Sequence, residues 1–316
     1  MRWLSIAAAA LFVCGAAQAQ YPTKPVRMIV AFTAGSETDY LARIVSQKLG
    51  EQWGQQVVVE NRAGAGGVLA TSAVLAAPAD GYTLLTHSMA HAISPAVHSK
   101  LPYDVRDVAG VSQIAGVPNV LVVAPGQGIA SIKELIAAAR QKPGQLTFGS
   151  AGVGSGMHIN GEQFRLAAEI QVVHVSYKGG PEALTDLLGG RISFVFSPIG
   201  LAIPLVKDRK LVALGVTPAV RSAALPDVPT IAEAGVPGFE FDTWYGILAP
   251  AATPKTIVAK ISSDIARALA LPDVQERFAT RGAVPKASTP DEFDNFIRSE
   301  IAKLGKVIKA ADIKPN

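Results

Sequence analysis

The sequence predicts an α/β protein of two lobes, each a mainly parallel sheet flanked by helices. Strand-like and helix-like segments alternate through most of the 316 residues, which is the pattern of βαβ units. Two long extended segments, 108–124 and 239–248, interrupt this alternation and are expected to carry the chain between the lobes. A cleft between two such lobes is a natural place for a small ligand.

The predicted elements of the first lobe come from the apolar periodicity before residue 90. We predict strands at 26–32, 56–60 and 83–87, and helices at 40–53 and 65–77. The following segment, 108–124, is too long and too interrupted by Gly and Pro to be one ordinary strand, so it is interpreted as a crossing.

The second lobe repeats the alternation. We predict strands at 146–148, 172–175, 192–196 and 211–216, and helices at 131–140, 157–168 and 181–188. Ser131 is expected to cap its helix, and Glu134 three residues later is expected to complete a capping box.

The last part of the chain is predicted to be mostly helical. Residues 226–237 form a Pro-rich connector without clear periodicity, and helices are predicted at 256–271, 272–281 and 290–310. These helices are expected to pack back on the first lobe. The predicted division is 1–19 as a signal peptide, 20–123 plus 242–316 as lobe 1, and 124–241 as lobe 2.

The first residues have the pattern of an export signal. Arg2 precedes the apolar run 4–13, and Ala17-Gln18-Ala19 is a small-residue cleavage site before Gln20. The run is too short to span a bilayer, so a cleaved signal and a periplasmic location are predicted. Because the single cysteine, Cys14, lies in this signal, the mature chain would contain no disulfide, thiol nucleophile or thiolate metal site.

The charge pattern argues against a nucleic-acid partner. The formal net charge is +4, but the sequence has no dense Lys/Arg cluster and no interleaving of basic and aromatic residues. A modest positive field would instead assist the approach of an anionic metabolite.

The first candidate site is the loop 32–39, which follows a strand and leads into a helix. Its small residues leave helix N-terminal N–H groups open to an anion without an Arg or Lys. The alternative is that Thr38 or Asp39 is only an N-cap. The candidate ligand-binding residues here are Phe32, Thr33, Ala34, Gly35, Ser36, Thr38 and Asp39.

A second loop of the same kind occupies 148–158. It also connects a strand to a helix, and its glycines would let a ligand approach the backbone closely. It lacks the Gly-Lys-Ser/Thr ending of a P-loop and the Rossmann spacing, and a structural tight turn is the alternative. The candidate residues are Ser150, Ala151, Gly152, Ser155 and His158.

Two further candidate segments lie at predicted strand ends, where ligands of open α/β sheets bind. The first contributes His87, Ser88, Met89 and His91, and the second contributes Tyr177 beside Lys178. The spacing of the two histidines suits one helical face, but no nearby Asp or Glu completes a metal site, so none is assigned. We expect no cofactor.

Enzyme chemistry is poorly supported by the sequence. No Gly-x-Ser-x-Gly elbow and no His-Glu-x-x-His motif occurs, and no catalytic residue is assigned. A noncatalytic binding protein is predicted.

Motifs along almost the whole mature chain resemble one family. They include Tyr21-Pro-Thr-Lys-Pro-Val-Arg27, Val57-Val-Val-Glu-Asn-Arg-Ala-Gly-Ala-Gly-Gly67, Tyr177-Lys-Gly-Gly180 and Leu225-Pro-Asp-Val-Pro-Thr230. The chain is thereby similar to the substrate-binding receptors of tripartite tricarboxylate transporters, the TctC or Bug type. The resemblance implies a two-lobe periplasmic binding protein fold and delivery of a carboxylate to a permease with a large and a small integral subunit. It also implies that 32–39, 150–158 and 88–91 line the cleft.

The chain departs from this family pattern in the first loop and at two other places. The loop commonly reads Pro-Phe-Pro-Pro-Gly-Gly-x-Thr-Asp, whereas here Thr33 and Ser36 add hydroxyl groups and Glu37 adds a charge that is expected to point to solvent. Ser197 stands where an acidic or amide residue is common, and Met89 where a smaller polar residue is common. Phe32, Met89 and Trp244 are expected to form an apolar middle between two polar ends.

These features predict a monomeric solute-binding receptor for a small carboxylate. A dicarboxylate is expected, and an aromatic one such as terephthalate or phthalate would suit polar loops flanking an apolar middle. The alternatives are a periplasmic sensing domain that presents its ligand to a signalling kinase and, less favoured, a periplasmic hydrolase.

Overall fold

The computed structural model describes residues 21–310 and Ile313. The predicted signal, 1–19, lies outside the described residues. The described residues form ten strands: β1 Val26–Val30, β2 Val57–Asn61, β3 Thr83–Ser88, β4 Val108–Val123, β5 Thr147–Ser150, β6 Val173–Ser176, β7 Phe194–Pro198, β8 Val212–Val216, β9 Asp242–Pro250 and β10 Val284–Pro285.

Helices connect most of these strands, as the alternation in the sequence predicts. The α-helices are α1 Glu37–Trp53, α2 Val68–Leu75, α3 Ala90–Val97, α4 Ile132–Gln141, α5 Gly156–Ala167, α6 Gly180–Leu188, α7 Ile199–Lys207, α8 Ile231–Ala234, α9 Lys255–Leu269, α10 Pro272–Ala279 and α11 Pro290–Ala310. In the part of the chain that the structure covers, no helix is both long and apolar enough to cross a membrane.

The first sheet is built around parallel pairing of β1 with β2 and β3. Strand β9 returns antiparallel beside β3, and β4 pairs antiparallel with β9. The short strand β10 pairs with β4 at Gly116 and Ala115. Helices α9 and α11 pack against β4, so the C-terminal helices lie against this sheet, as predicted.

The second sheet contains β5, β6, β7 and β8 together with the last part of β4. Strand β5 is parallel to β6 and β7, whereas β7 and β8 pair antiparallel with residues 119–123 of β4. The strand order across both sheets is β2-β1-β3-β9-β4-β7-β5-β6. The predicted crossing at 108–124 is therefore one continuous strand shared by two sheets.

Register shifts explain how such a long strand is accommodated. Strand β4 has 16 residues, and its pairing with β9 shifts between Gly110 and Ser112 and again between Gln113 and Ala115. Such irregularities bend and twist a strand locally, so β4 can follow both sheets. The assignment of 20–123 plus 242–316 and 124–241 to separate lobes stays a prediction.

Several helix boundaries differ from the predicted ones because of capping. Helix α1 begins three residues earlier than predicted, since Ser36 is its N-cap. Ser131 accepts a hydrogen bond from the Glu134 amide as predicted, but the Glu134 carboxylate accepts from the Ala130 amide, one residue before the cap. The connector 226–237 contains the short helix α8, whose capping box the prediction overlooked.

The two sheets have separate aromatic contacts in one continuous core. On the second sheet, Phe164, Phe194 and Phe196 contact one another with ring centroids 5.5–6.3 Å apart. On the first sheet, Phe293 of α11 lies against β9 and meets Trp244 edge to face at 5.4 Å.

A substitution at Gly246 of β9 would test how closely α11 packs on the first sheet. A Cβ at this position would lie 2.2 Å from Phe293 Cζ and 3.1 Å from the Ser112 carbonyl oxygen. Gly246→Ala should therefore lower the free energy of unfolding by about 1–3 kcal/mol, as overpacking of a core does. Chemical denaturation with urea measures the change.

Gly116 of β4 is the matched control, because a Cβ there would meet nothing within 4 Å. Gly116→Ala should leave stability unchanged or raise it slightly, through the lower entropy of the unfolded chain. Equal unfolding midpoints for the two variants would show that the contact with Phe293 does not constrain β9.

Candidate functional site

A small cavity lies where the two sheets face each other, with a volume of about 40 Å³. Both sheets and their helices contribute to it. Its lining consists of Phe32, Ser36, Glu37, Thr38, Ser88, Asn119, Ala151, Ser155, Gly156, Met157, Gly180, Pro198, Leu201, Thr243 and Tyr245. None of these described lining residues is a Lys or Arg.

Four helix N-termini converge on this cavity. Residues 36–38 come from the start of α1, 155–157 from the start of α5, Gly180 from α6, and Leu201 from the first turn of α7. The first N–H groups of a helix have no intrahelical acceptor and carry partial positive charge. The cavity is thus suited to an anion although no cationic side chain lines it.

The first predicted loop is held open by capping and by a buried carboxylate. Ser36 Oγ accepts from the Asp39 amide at 3.3 Å, so the N-cap is Ser36, neither Thr38 nor Asp39. Asp39 instead accepts from the Gly35 amide at 3.0 Å. Burial alone would raise the pKa of Asp39, but hydrogen bonds from Arg43, Gly35 and Asn61 hold this pKa below its usual range.

Glu37 is buried, which contradicts the expectation that it points to solvent. Its side chain is 1% exposed, and its Oε2 lies 3.2 Å from Arg281 Nη2. Burial raises the pKa of Glu37 to about 7 despite the opposing effect of Arg281. The expectation was wrong because Arg281, which follows α10, and α7 from the second sheet close over this helix start, and neither is close in sequence.

The rest of the first loop lies at the rim of the cavity. Thr33 Oγ1 donates to Glu182 Oε2 of α6 at 3.1 Å, a hydrogen bond between the two halves of the molecule. Ala34 and Gly35 are exposed, and Gly35 has a positive φ of 78°. Phe32 lines the cavity, with its ring edge against His87 at 5.9 Å between centroids.

The second predicted loop contributes Ala151 and Ser155 to the lining, and Ser155 is the N-cap of α5. Ser155 Oγ accepts from the His158 amide at 3.2 Å. Gly152 has a positive φ of 112°, and a Cβ there would lie 3.4 Å from the Gly66 amide nitrogen. This loop therefore closes against the first half of the molecule.

Ser150 and His158 lie behind the second loop, outside the cavity lining. Ser150 Oγ lies 2.6 Å from His174 Nε2, and His158 Nδ1 accepts from the Gly154 amide at 3.2 Å. The two imidazole rings are 4.1 Å apart. Burial lowers the pKa of His158 to about 3 and that of His174 to about 4, so the pair braces the loop in neutral form. Sequence reasoning missed His174.

In the third candidate segment, Ser88 lines the cavity and the two histidines lie deeper. His87 Nδ1 accepts from the Ser88 amide at 2.9 Å. Burial lowers the pKa of His87 to about 3 and that of His91 to about 4, so both rings are neutral. Met89 is buried beside α5, with its Sδ 3.3 Å from a Cβ placed on Gly156. Among the described residues, no cluster of three His, Cys, Asp or Glu side chains is arranged to hold a metal ion.

Three other predicted site residues lie outside the cavity lining. Tyr177 donates from its hydroxyl to Asp186 Oδ2 at 2.8 Å, and Ser197 Oγ donates to the Pro198 carbonyl at 3.0 Å. Trp244 packs edge to face against Phe293 and Phe296, on the other side of β9 from the cavity. The expected apolar middle that includes Trp244 is therefore wrong, because strand alternation turns Tyr245 to the cavity instead.

Sequence reasoning also overlooked lining residues on the extended strands. Asn119 of β4 donates from Nδ2 to Thr243 Oγ1 of β9 at 2.8 Å, and both line the cavity. The available signal was their position in the two predicted crossings, since polar residues in a segment that spans two lobes lie near the cleft. Gly156 and Met157 lie within the segment 150–158 that was expected to line the cleft, and the other missed residues are Gly180, Pro198, Leu201 and Tyr245.

The His158–His174 pair predicts acid sensitivity. Both pKa values are lower in the folded state than in the unfolded chain. The contribution of the pair to the free energy of unfolding is therefore fully present above the ordinary histidine pKa, and it is lost as the pH falls toward the pKa values of the folded state. For His158, lowering the pH from about 7 to about 5 should cost about 2 kcal/mol, at about 1.4 kcal/mol per pKa unit.

His158→Asn should therefore flatten the fall in unfolding free energy over this pH range, as urea denaturation at each pH would measure. His98→Asn is the matched control and should remove less of the slope, because His98 is only half-buried. An unchanged slope in His158→Asn would mean that this ring does not carry the acid sensitivity.

Comparison with known proteins agrees with this architecture. The family model of the tripartite tricarboxylate transporter family receptor matches residues 41–313. Protein BugT of Bordetella pertussis is 37% identical over 297 residues, covering 93% of this chain and 91% of BugT. A protein encoded in the tcbD-tcbE intergenic region of Pseudomonas sp. strain P51 is 37% identical over 290 residues, covering 91% of this chain and 86% of that protein.

Solved structures of similar proteins also match this architecture. Rpa4515 of R. palustris, solved with adipate, superposes with a TM-score of 0.90 at 36% identity, covering 94% of this chain and 100% of that one. MatC of Rhodopseudomonas palustris, solved with bound malate, gives a TM-score of 0.86 at 28% identity, covering 91% and 100%. The chain therefore belongs to the tripartite tricarboxylate transporter receptor family, whose members are noncatalytic periplasmic binding proteins of this α/β fold.

Proposed function

We propose that this protein captures a small dicarboxylate between its two lobes and delivers it to the integral-membrane subunits of a tripartite tricarboxylate-type permease. The convergence of four helix N-termini on one cavity, without a Lys or Arg in its described lining, is the observation that carries the proposal. The proposed location is the periplasm, after removal of the signal near Ala19.

Helix termini can supply the binding energy that a carboxylate requires. An anion at one helix N-terminus gains about 0.3–1 kcal/mol at an exposed position and up to about 2 kcal/mol when partly buried. Several termini around one closed cavity add to each other, and water exclusion strengthens each interaction. The hydroxyl groups of Ser88, Thr38 and Tyr245 add donors to the lining.

Two observations favour an aliphatic diacid over an aromatic one. Trp244, which was expected to contact an aromatic ring, lies outside the lining. The relatives solved with adipate and with malate support an aliphatic dicarboxylate in this chain as well.

Contacts across the cavity support closure of the two halves around the ligand. Besides the Thr33–Glu182 hydrogen bond, the backbone of Gly66 touches the second loop, since a Cβ there would lie 2.4 Å from the Val153 carbonyl oxygen. Gly156 similarly approaches Thr243 and Met89. Glycine at these points lets the two halves meet closely.

The proposed ligand contacts combine the predicted and the overlooked lining residues. From the predicted set we retain Phe32, Ser36, Thr38, Ser88, Ala151 and Ser155, and from the structure we add Asn119, Gly156, Thr243 and Tyr245. The remaining predicted residues would position these contacts from behind or from the rim.

The proposal predicts selective thermal stabilisation by carboxylates. The purified mature protein should melt at higher temperature with malate, succinate or adipate, because a ligand that binds only the folded state stabilises it by about 2.7 kcal/mol at one hundred times its Kd. Scanning fluorimetry with aliphatic and aromatic acids measures this, with the corresponding diamides as uncharged controls. A melting temperature that no acid in the panel raises would reject a carboxylate ligand.

A second prediction concerns the closed contact at Gly156. A Cβ on this residue would lie 3.1 Å from Thr243 Oγ1 and 3.3 Å from Met89 Sδ, so Gly156→Ala should hold the halves apart. We expect a loss of about tenfold in affinity for the acid that binds, equal to about 1.4 kcal/mol, measured by titration calorimetry. Gly126→Ala, where a Cβ meets nothing within 4 Å, should bind like the unaltered protein.

A further inference from the structure

Glu37 is a buried acid at a site that otherwise favours anions. Its Oε1 has no hydrogen-bond partner among the residues that the structure describes, and its side chain is 1% exposed. The carboxyl group lies between the two halves of the molecule, since a Cβ on Gly200 of α7 would be 2.7 Å from Glu37 Oε2. Glu37 also belongs to the cavity lining.

Only one cation lies against this carboxyl group in the described structure. Arg281 approaches it at 3.2 Å, and the Arg281 guanidinium also lies 4.4 Å from the centre of the Tyr40 ring. From β9, the ionisable group that faces the pair is the Tyr245 phenol, whose pKa is raised by burial and then by Glu37. From α7, the contact is the uncharged Gly200.

Asp39, the other acid in the first turn of α1, does not change the net charge around Glu37. Asp39 is neutralised by Arg43, to which it forms an ion pair at 2.9 Å on its own helix. The corner formed by Glu37, Arg281 and Tyr245 therefore has no net charge while Glu37 is ionised. It gains one positive charge when Glu37 is protonated.

A dicarboxylate in the closed cavity would lie beside an ionised Glu37 at low dielectric, where like charges repel strongly. A proton on Glu37 removes that repulsion, turns the side chain into a hydrogen-bond donor, and leaves Arg281 free to attract the ligand. An ionised Glu37 would repel a neutral or zwitterionic ligand less strongly, so such a ligand could bind without that proton.

We propose that Glu37 is a specificity-determining residue which binds a proton when the closed cleft takes up a dicarboxylate. The inference rests on the proposed function. No covalent step is involved: the proton comes from water and returns to it on release. Burial already raises the pKa of Glu37 to about 7, and repulsion from a buried dianion raises it further, so Glu37 is protonated in the complex at a pH where it is ionised in the free protein.

The sign of the pH dependence follows from this exchange. Well below the free-protein pKa of Glu37, the side chain is already protonated and binding takes up no proton. Above it, one proton enters with each ligand, so the affinity should fall by up to about tenfold per pH unit until the pKa of the bound state is reached. Glu37→Gln should remove this dependence, because an amide does not titrate in this range.

The experiment is titration calorimetry of the mature protein with malate, succinate and adipate at about pH 8. Measurements in phosphate and in Tris, which differ in heat of ionisation, give the number of protons taken up. We expect a value approaching one for the unaltered protein and near zero for Glu37→Gln, whose affinity at this pH should be about tenfold higher. Glu240→Gln is the matched control at an exposed position and should behave like the unaltered protein.

The outcomes separate this inference from the proposed function. Binding of a dicarboxylate with no proton uptake would leave the proposed function standing and overturn the role of Glu37. Absence of binding by every acid in the set would overturn both. The proton count of the unaltered protein decides the matter even if Glu37→Gln does not fold.

Discussion

The antiparallel pairing of β4 with β9 is the constraint on which the rest of the structure depends. Residues 108–118 of β4 pair with β9 in the first sheet, and residues 119–123 pair with β7 and β8 in the second. The two sheets are therefore fixed to one another through a shared strand. Asn119 and Thr243 meet at this junction through a 2.8 Å hydrogen bond and form part of the cavity lining.

This shared strand also determines the electrostatics of the site. The helices that follow β1, β5 and β7 begin at the carboxyl ends of these strands, which face the junction, so their N-termini point into one space. In the proposed function, the backbone amides that the fold supplies in any case bind the anion. The side chains would then determine which anion is accepted, and Glu37 is the one carboxylic acid among the described lining residues.

Much of the fold and part of the site follow from local sequence. Periodicity and turn residues located most strands and helices, and small residues after β1 and β5 located the two loops that reach the cavity. Local patterns could not locate Tyr245 or exclude Trp244, because the face of β9 that meets the cavity depends on its register with β3 and β4. They also could not place Glu37, whose burial depends on Arg281, more than two hundred residues away in sequence.

The departures from the family pattern in the first loop acquire a physical role in this arrangement. Thr33 donates a hydrogen bond to Glu182 in the opposite half of the molecule. Ser36 caps α1 by accepting a hydrogen bond from the Asp39 amide. Glu37 pairs with Arg281 against α7. Thr33 thus connects the loop to the opposite half, Ser36 connects it to its own helix, and Glu37 connects it to the partly buried cation Arg281. We therefore expect that substitutions in this loop can change ligand preference without altering the strands that hold the two sheets together.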